Sequence, residues 1–259
     1  MNYNFHTHTY FCGHANGTIE EYIKNAIVGK ITHMGFSEHF PYVCSNGVES
    51  EYRLQIKDIK SYFSQLYELR EKYKKEIDIK IGFEMEYYPL RFEEMKKSAI
   101  EYGAEYLILG QHFLDEEQPN WEHVIEERDS IEGLQRYTDN VISAIKSGVF
   151  SYVAHPDMMN FVGDKSIFHE KIREICIASR EYNTPLEINF LGIRTGRNYP
   201  NEEFWRIAGE EKSPVVFGLD AHEAQDAVDT KSLVKAREIV EKYNLNYVGM
   251  PKIMPLQKG

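Results

Sequence analysis

The strongest constraint on the fold is an alternation that runs the whole length of the chain: short apolar runs rich in β-branched and aromatic residues are separated by longer amphipathic segments. The short runs are Tyr3–His8, Thr32–Ser37, Ile77–Glu84, Tyr106–Gly110, Tyr152–Ala154, Leu186–Asn189 and Val215–Leu219, and each reads as a strand. The segments between them carry helical spacing. Leu54–Tyr73 sets Ile56, Ile59, Phe63, Leu66, Leu69 and Tyr73 three and four residues apart, and Thr18 followed by Glu20 and Glu21 marks a helix start. Further helices are expected over Phe92–Tyr102, Leu134–Lys146, Lys165–Tyr182, Asn201–Gly209 and Lys231–Tyr243. Strands that are each followed by a helix pair in parallel through right-handed crossovers. The expected fold is therefore an α/β, distorted (β/α)7 TIM-like barrel. No stretch rich in Pro, Gly or Ser interrupts it, so residues 1–259 are expected to form a single domain. An open doubly wound sheet is the alternative, but neither G-x-G-x-x-G nor G-x-x-x-x-G-K-[ST] occurs. Two non-periodic stretches, Phe40–Glu51 and Leu114–Ser130, are candidate loops over an active face.

Metal-capable side chains collect at the carboxyl ends of these strands, the end at which parallel barrels build their sites. Strand one ends in His6-Thr7-His8, with His14 in the following loop. The later strands end in Glu38-His39, Glu84-Met85-Glu86, Gln111-His112, His155-Pro156-Asp157, Asn189 and Asp220-Ala221-His222. Alternate residues of a strand share a face, so His6 and His8 can reach one ion. Core packing does not require this clustering. His33, His123 and His169 stand outside it and read as bystanders. Seven histidines with Glu84 and Asp220 make nine N/O donors without sulfur. That set suits Zn, Mn or Fe better than Ca²⁺ or Mg²⁺ alone, and with one bridging carboxylate it is enough for three divalent metal ions.

The composition narrows the partners. Of 259 residues, 41 are acidic and 30 basic, giving a formal charge of −11, which disfavours an extended nucleic-acid surface. Three cysteines, Cys12, Cys44 and Cys176, show no C-x-x-C spacing; they are expected to be free thiols, Cys12 and Cys44 packing near the site rather than ligating. With no signal-peptide pattern and no apolar stretch near ~20 residues, neither a secreted nor a membrane protein is expected, and a cytoplasmic location fits.

The full set of motifs resembles the polymerase and histidinol phosphatase (PHP) superfamily, and within it the monofunctional histidinol-phosphatase-like branch. The residues that carry the resemblance are His6-Thr7-His8, His14, Gly35-Phe36-Ser37-Glu38-His39, Gly82-Phe83-Glu84, Gly110-Gln111-His112, Ala154-His155-Pro156-Asp157, Glu187-Ile188-Asn189 and Gly218-Leu219-Asp220-Ala221-His222, in order over the whole chain. It implies a (β/α)7 barrel with a trinuclear metal centre. One ion would be held by His6, His8, Glu84 and Asp220, a second by Glu84, His112 and His155, and a third by His14, His39 and His222, with Glu84 as the bridge. It also implies catalytic roles for Glu84, Asp220 and His222.

The implied activity is hydrolysis of a phosphomonoester, L-histidinol phosphate, to L-histidinol and phosphate, with a metal-bridging hydroxide as nucleophile. Three divalent ions would supply the local positive field for such a small phosphorylated metabolite despite the acidic chain. Arg194 and Arg197, following strand six, are the candidate substrate-binding residues, since a guanidinium can grip two phosphate oxygens. No arginine follows His155 closely, where the segment reads Met158-Met159-Asn160-Phe161. Two alternatives use the same donors: a phosphodiesterase or nucleotide-cleaving relative, and a non-catalytic metal-binding regulatory barrel.

Overall fold

The computed structural model describes residues 1–118 and 121–256. Its strands are β1 (Tyr3–Asn4), β2 (His33–His39), β3 (Asp78–Met85), β4 (Tyr106–Leu109), β5 (Phe150–Val153), β6 (Leu186–Asn189), β7 (Pro214–Gly218) and β8 (Asn246–Tyr247), all in one parallel sheet in sequence order. The helices are α1 (Ile19–Val28), α2 (Ile59–Tyr73), α3 (Phe92–Tyr102), α4 (Ile131–Ser147), α5 (Lys165–Tyr182), α6 (Phe190–Thr195), α7 (Glu202–Glu211) and α8 (Thr230–Lys242). All seven expected strands and all seven expected helices are present. The start of α1 is a capping box in which Thr18 and Glu21 satisfy each other's main-chain N–H groups.

The sheet curls until β1 meets β7. Beyond the two strands, Thr7 bridges Ala221, with the His8 N–H donating to the Ala221 carbonyl at 3.0 Å. The opposite end is different. There β8, which sequence periodicity does not predict because it is two exposed residues long, pairs with Pro214 and Val215, and the Tyr247 and Tyr3 hydroxyls meet at 3.1 Å. Among the described residues the main-chain bridge between these two edges thus lies at the carboxyl end, while deeper in the barrel a side chain joins them, the Phe217 N–H donating to the Tyr3 hydroxyl at 3.3 Å.

Two apolar bodies support this end. The larger packs the sheet against the helices; the smaller, Tyr3, Phe5, Tyr106, Ile108, Tyr152, Ala154 and Val216, gathers residues from β1, β4, β5 and β7. The Tyr106 hydroxyl donates to the Phe5 carbonyl at 3.0 Å, joining the two sides of this smaller core just before the chain reaches His6. Histidines at the strand ends thus stand on a packed base.

Candidate metal centre

The side chains that converge at the carboxyl ends are His6, His8 and Glu84, with His155, Asp220, His39 and His112 around them. Glu84 is the hub. Its Oε1 lies 3.5 Å from His6 Nε2, 3.4 Å from His112 Nε2 and 2.8 Å from His155 Nε2, while its Oε2 lies 3.3 Å from His8 Nε2 and 3.1 Å from His39 Nδ1. Asp220 Oδ1 completes one set, 3.5 Å from His6 Nε2 and 3.4 Å from His8 Nε2. Farther out, His14 and His222 face each other through their Nε2 atoms at 3.1 Å, and with His39 they make a second convergent group. All nine sequence-predicted ligands are thus brought into one connected cluster.

Glycine at two positions makes this possible. A Cβ at Gly110 would occupy the space of the Glu84 carboxylate, and a Cβ at Gly218 would occupy that of Glu187. His155 and Asp220 have positive φ angles of 30° and 46°, conformations that L-residues hold only when their surroundings impose them and that cluster at functional sites.

The donor set fits a cation. His6 Nε2, His8 Nε2, Glu84 Oε2 and Asp220 Oδ1 are all buried and lack a hydrogen-bond partner, although such atoms are normally satisfied. They face one another at 3.3–3.5 Å. Ligands about 2.1 Å from a tetrahedral ion stand about 3.4 Å apart, so the spacing matches the edge of a coordination polyhedron. The fit extends to charge, because Glu38, Glu84, Glu86, Glu187 and Asp220 are all buried here, a concentration of carboxylates that is costly without cations.

A second layer orients the imidazoles. Glu187 accepts from His6 Nδ1 at 2.9 Å, Glu38 from His8 Nδ1 at 3.3 Å and Glu86 from His112 Nδ1 at 2.9 Å, leaving each Nε2 turned toward Glu84. This carboxylate–histidine arrangement sets the tautomer and strengthens the ring as a ligand. Arg53 holds Glu86 through two bonds of 2.9 and 2.6 Å and Glu117 through a third of 2.7 Å. Asn189 donates to both Glu187, at 2.7 Å, and Asp220, at 3.0 Å. The three acids lie inside motifs noted in the sequence, but nothing local revealed their partners, and Arg53 carried no signal at all.

Electrostatics divides the cluster. Burial opposes charge on His6, yet Glu187, Asp220 and Glu84 overcome it and raise its pKa well above the usual imidazole range; Asp220, Glu38 and Glu84 do the same for His8. Burial would raise the Glu84 pKa, but His112 and His6 hold it well below the carboxylate range. The outer imidazoles go the other way. Desolvation, with His222 and His8 nearby, lowers His14 to about 4, and burial with His8 lowers His39 and His222.

A cavity of about 420 Å³ opens over the cluster, walled by Tyr52, Phe113, Trp121, Met158, Leu191 and Arg197 among others. The second candidate loop contributes Glu117, Trp121 and His123, whereas no residue of Phe40–Glu51 lines the cavity, which takes Tyr52 and Arg53 just beyond that stretch; residues 119 and 120 of Leu114–Ser130 lie outside the described residues. Arg197 lines the cavity, where it donates to the Tyr199 hydroxyl at 2.9 Å.

Arg194 corrects the sequence reading. It sits in α6, a six-residue helix capped by Asn189, and does not line the cavity. Its guanidinium donates to the Leu219 and Asp220 carbonyls, each at 2.9 Å, and pairs with Asp226 and Asp229, so it holds the β7 end instead of facing a ligand. His123 is a second correction, since it lines the cavity instead of standing apart. His33 and His169 do stand apart, bonded to Thr32 and Glu203. Cys12, Cys44 and Cys176 are free and buried; Cys12 lies beside His8 and His222, and burial pushes its thiol up to about 12.

A curled parallel barrel whose strand ends converge on histidines and carboxylates defines a class of metal-binding α/β barrels. Within that class this chain belongs to the PHP domain family, whose model matches residues 4–190. It is 26% identical over 226 residues to a Deinococcus radiodurans protein named "Probable histidinol-phosphatase", spanning 84% of this chain and 85% of that one. It is also 26% identical over 252 residues to the histidinol-phosphatase of Bacillus subtilis, spanning 85% of this chain and 93% of the relative. Its fold matches the histidinol phosphate phosphatase of Lactococcus lactis, a crystal structure complexed with zinc, L-histidinol and phosphate, with a TM-score of 0.73 at 18% identity over 99% of this chain and 98% of that one. No helix among the described residues is long and apolar enough to cross a membrane.

Proposed function

We propose that this chain, with residues 1–259 acting as one catalytic unit, is a metal-dependent phosphomonoesterase that hydrolyses L-histidinol phosphate to L-histidinol and phosphate. The observation that carries the reading is the buried set of unpartnered donor atoms around Glu84, opening into a cavity that holds an arginine. The curated relatives named as histidinol-phosphatases support the substrate.

In this reading His6, His8, Glu84 and Asp220 hold one divalent ion, Glu84, His112 and His155 a second, and His14, His39 and His222 a third, the ions being Zn, Mn or Fe. When bound, such ions neutralise phosphoryl oxygens and lower the pKa of water toward about 7, making hydroxide available near neutral pH. The protein does the rest. Glu84 and Asp220 keep their carboxylates ionised and fixed, Glu187, Glu38 and Glu86 hold the imidazoles in one tautomer, and Arg197 binds phosphoryl oxygens from the cavity wall. Arg53 is engaged by two carboxylates and acts by positioning Glu86. The substrate imidazole rests against Phe113, Trp121 and Tyr52, rings that already meet edge to face at 5.6 and 5.9 Å.

The test is hydrolysis by metal-loaded protein of histidinol phosphate, p-nitrophenyl phosphate and bis(p-nitrophenyl) phosphate. The reading expects the first to be turned over with the highest kcat/KM and the diester to be poor. Fast diester cleavage with slow monoester cleavage would move the chain to the phosphodiesterase alternative, and metal binding without any turnover to the non-catalytic one.

A further inference from the structure

His123 is the one cavity-lining histidine outside the ligand set, and the fold fixes it tightly. Phe113 forms an antiparallel bridge with it, the Val124 N–H donates to the His112 carbonyl at 2.8 Å, and the Asn160 N–H donates to the Val124 carbonyl at 2.9 Å. Arg128 caps the His123 carbonyl at 2.7 Å, and the Asn160 side chain holds that of Ile125 at 3.1 Å. The ring packs against Phe113 with centroids 4.8 Å apart and 70° between planes, and stands 6.1 Å from the His112 ring.

The hydrogen bonding selects its tautomer. His123 Nδ1 accepts the Ile125 N–H at 3.1 Å, so that nitrogen carries no proton and the imidazole N–H is on Nε2. The ring therefore offers the cavity a single uncharged donor. Arg197 lines the same cavity. Arg53, the other cavity arginine, has its donors on Glu86 and Glu117.

We infer that His123 is a substrate-positioning residue whose Nε2–H donates to a phosphoryl oxygen of the bound monoester, opposite the grip of Arg197. The inference rests on the phosphomonoesterase reading for its substrate and adds a neutral donor beside the metal ligands. A neutral donor binds an anionic oxygen without repelling the cations that the neighbouring histidines would hold.

The experiment compares His123→Asn, His123→Gln and His123→Phe in metal-loaded protein. Asn keeps an acceptor for the Ile125 N–H but cannot reach the Nε2 position; Gln puts an amide N–H near it; Phe keeps the ring without a donor. Losing a hydrogen bond to a charged group predicts an increase of about ten- to a hundredfold in KM for Asn and Phe, with little change in kcat, and recovery to within a few-fold in Gln. Metal content and thermal unfolding of the Asn variant should match wild type. An unchanged KM in Asn and Phe, or a Gln variant as impaired as Asn, would overturn the role. Titration with inorganic phosphate separates this from the parent reading: weaker phosphate binding in Asn than in wild type supports the clamp even if no ester is hydrolysed, whereas equal binding refutes it even if the enzyme is active.

Discussion

The inner and outer halves of the histidine cluster are built from the same side chain on different supports. Inner rings back onto buried carboxylates: His6 onto Glu187, His8 onto Glu38 and His112 onto Glu86. The outer rings lack a carboxylate of their own behind them: His14 backs onto the Cys12 carbonyl at 3.0 Å, His222 Nδ1 stands 3.3 Å from both the carbonyl and the carboxylate of Asp220, itself a donor of the inner set, and His39 turns its Nδ1 to Glu84 at 3.1 Å. His6 and His8 are completely buried, His112 is partly exposed like His39 and His222, and His14 stands exposed at the rim. An ionised second layer raises the basicity of an imidazole and locks its direction, which a carbonyl on a loop does less well. The lesson is that nine donors need not hold three ions equally. The inner pair is expected to be tight, and the outer ion loose and exchangeable.

The largest effect should come from the inner hub. Glu84→Ala removes the carboxylate that faces five imidazoles, and the loss of several kcal/mol of charge stabilisation corresponds to a fall in kcat/KM of about a thousandfold or more. Initial rates with elemental analysis check this; an active variant that still binds three ions would remove Glu84 from its role as bridge. Next comes the contrast between the halves. Glu187→Gln should cost about 10- to 100-fold in inner-ion affinity or activity although it touches no ion, and His14→Ala should release one ion and leave two. Chelator titrations of the two variants measure both, and equal loss from both halves would break the comparison.

A smaller split is expected at the arginines. Arg197→Ala should raise KM by about tenfold, whereas Arg194→Ala should leave KM within a few-fold and instead lower thermal stability, since it ties Leu219 and Asp220 to α6. Steady-state kinetics with a thermal scan distinguish the two. The smallest effect belongs to His33→Ala, which should leave metal content unchanged because His33 bonds Thr32 at the start of β2. Loss of an ion there would show that the ligands are wrongly sorted.

What was legible in the sequence follows the same division. Strand ends carry their own signal: an apolar run stops and a His, Glu or Asp follows, so the barrel and the nine donors could be read in chain order. Partners across the barrel could not. Glu187 meets His6 across 181 positions, and Arg53 reaches Glu117 across 64, distances at which no periodicity operates. Arg194 was misread because six residues after Asn189 form a helix too short to show amphipathic repeat. His123 looked incidental because it ends none of the expected strands, and only folding brings it beside Phe113 and His112.

The most direct test of the account is the metal stoichiometry of the purified protein, with each ion's affinity resolved by competition against a chelator and its position by anomalous diffraction. Three ions per chain are expected, two beside Glu84 that resist the chelator and one between His14, His39 and His222 that leaves first. One ion or none at the cluster, or an outer ion held more tightly than the inner pair, would contradict it.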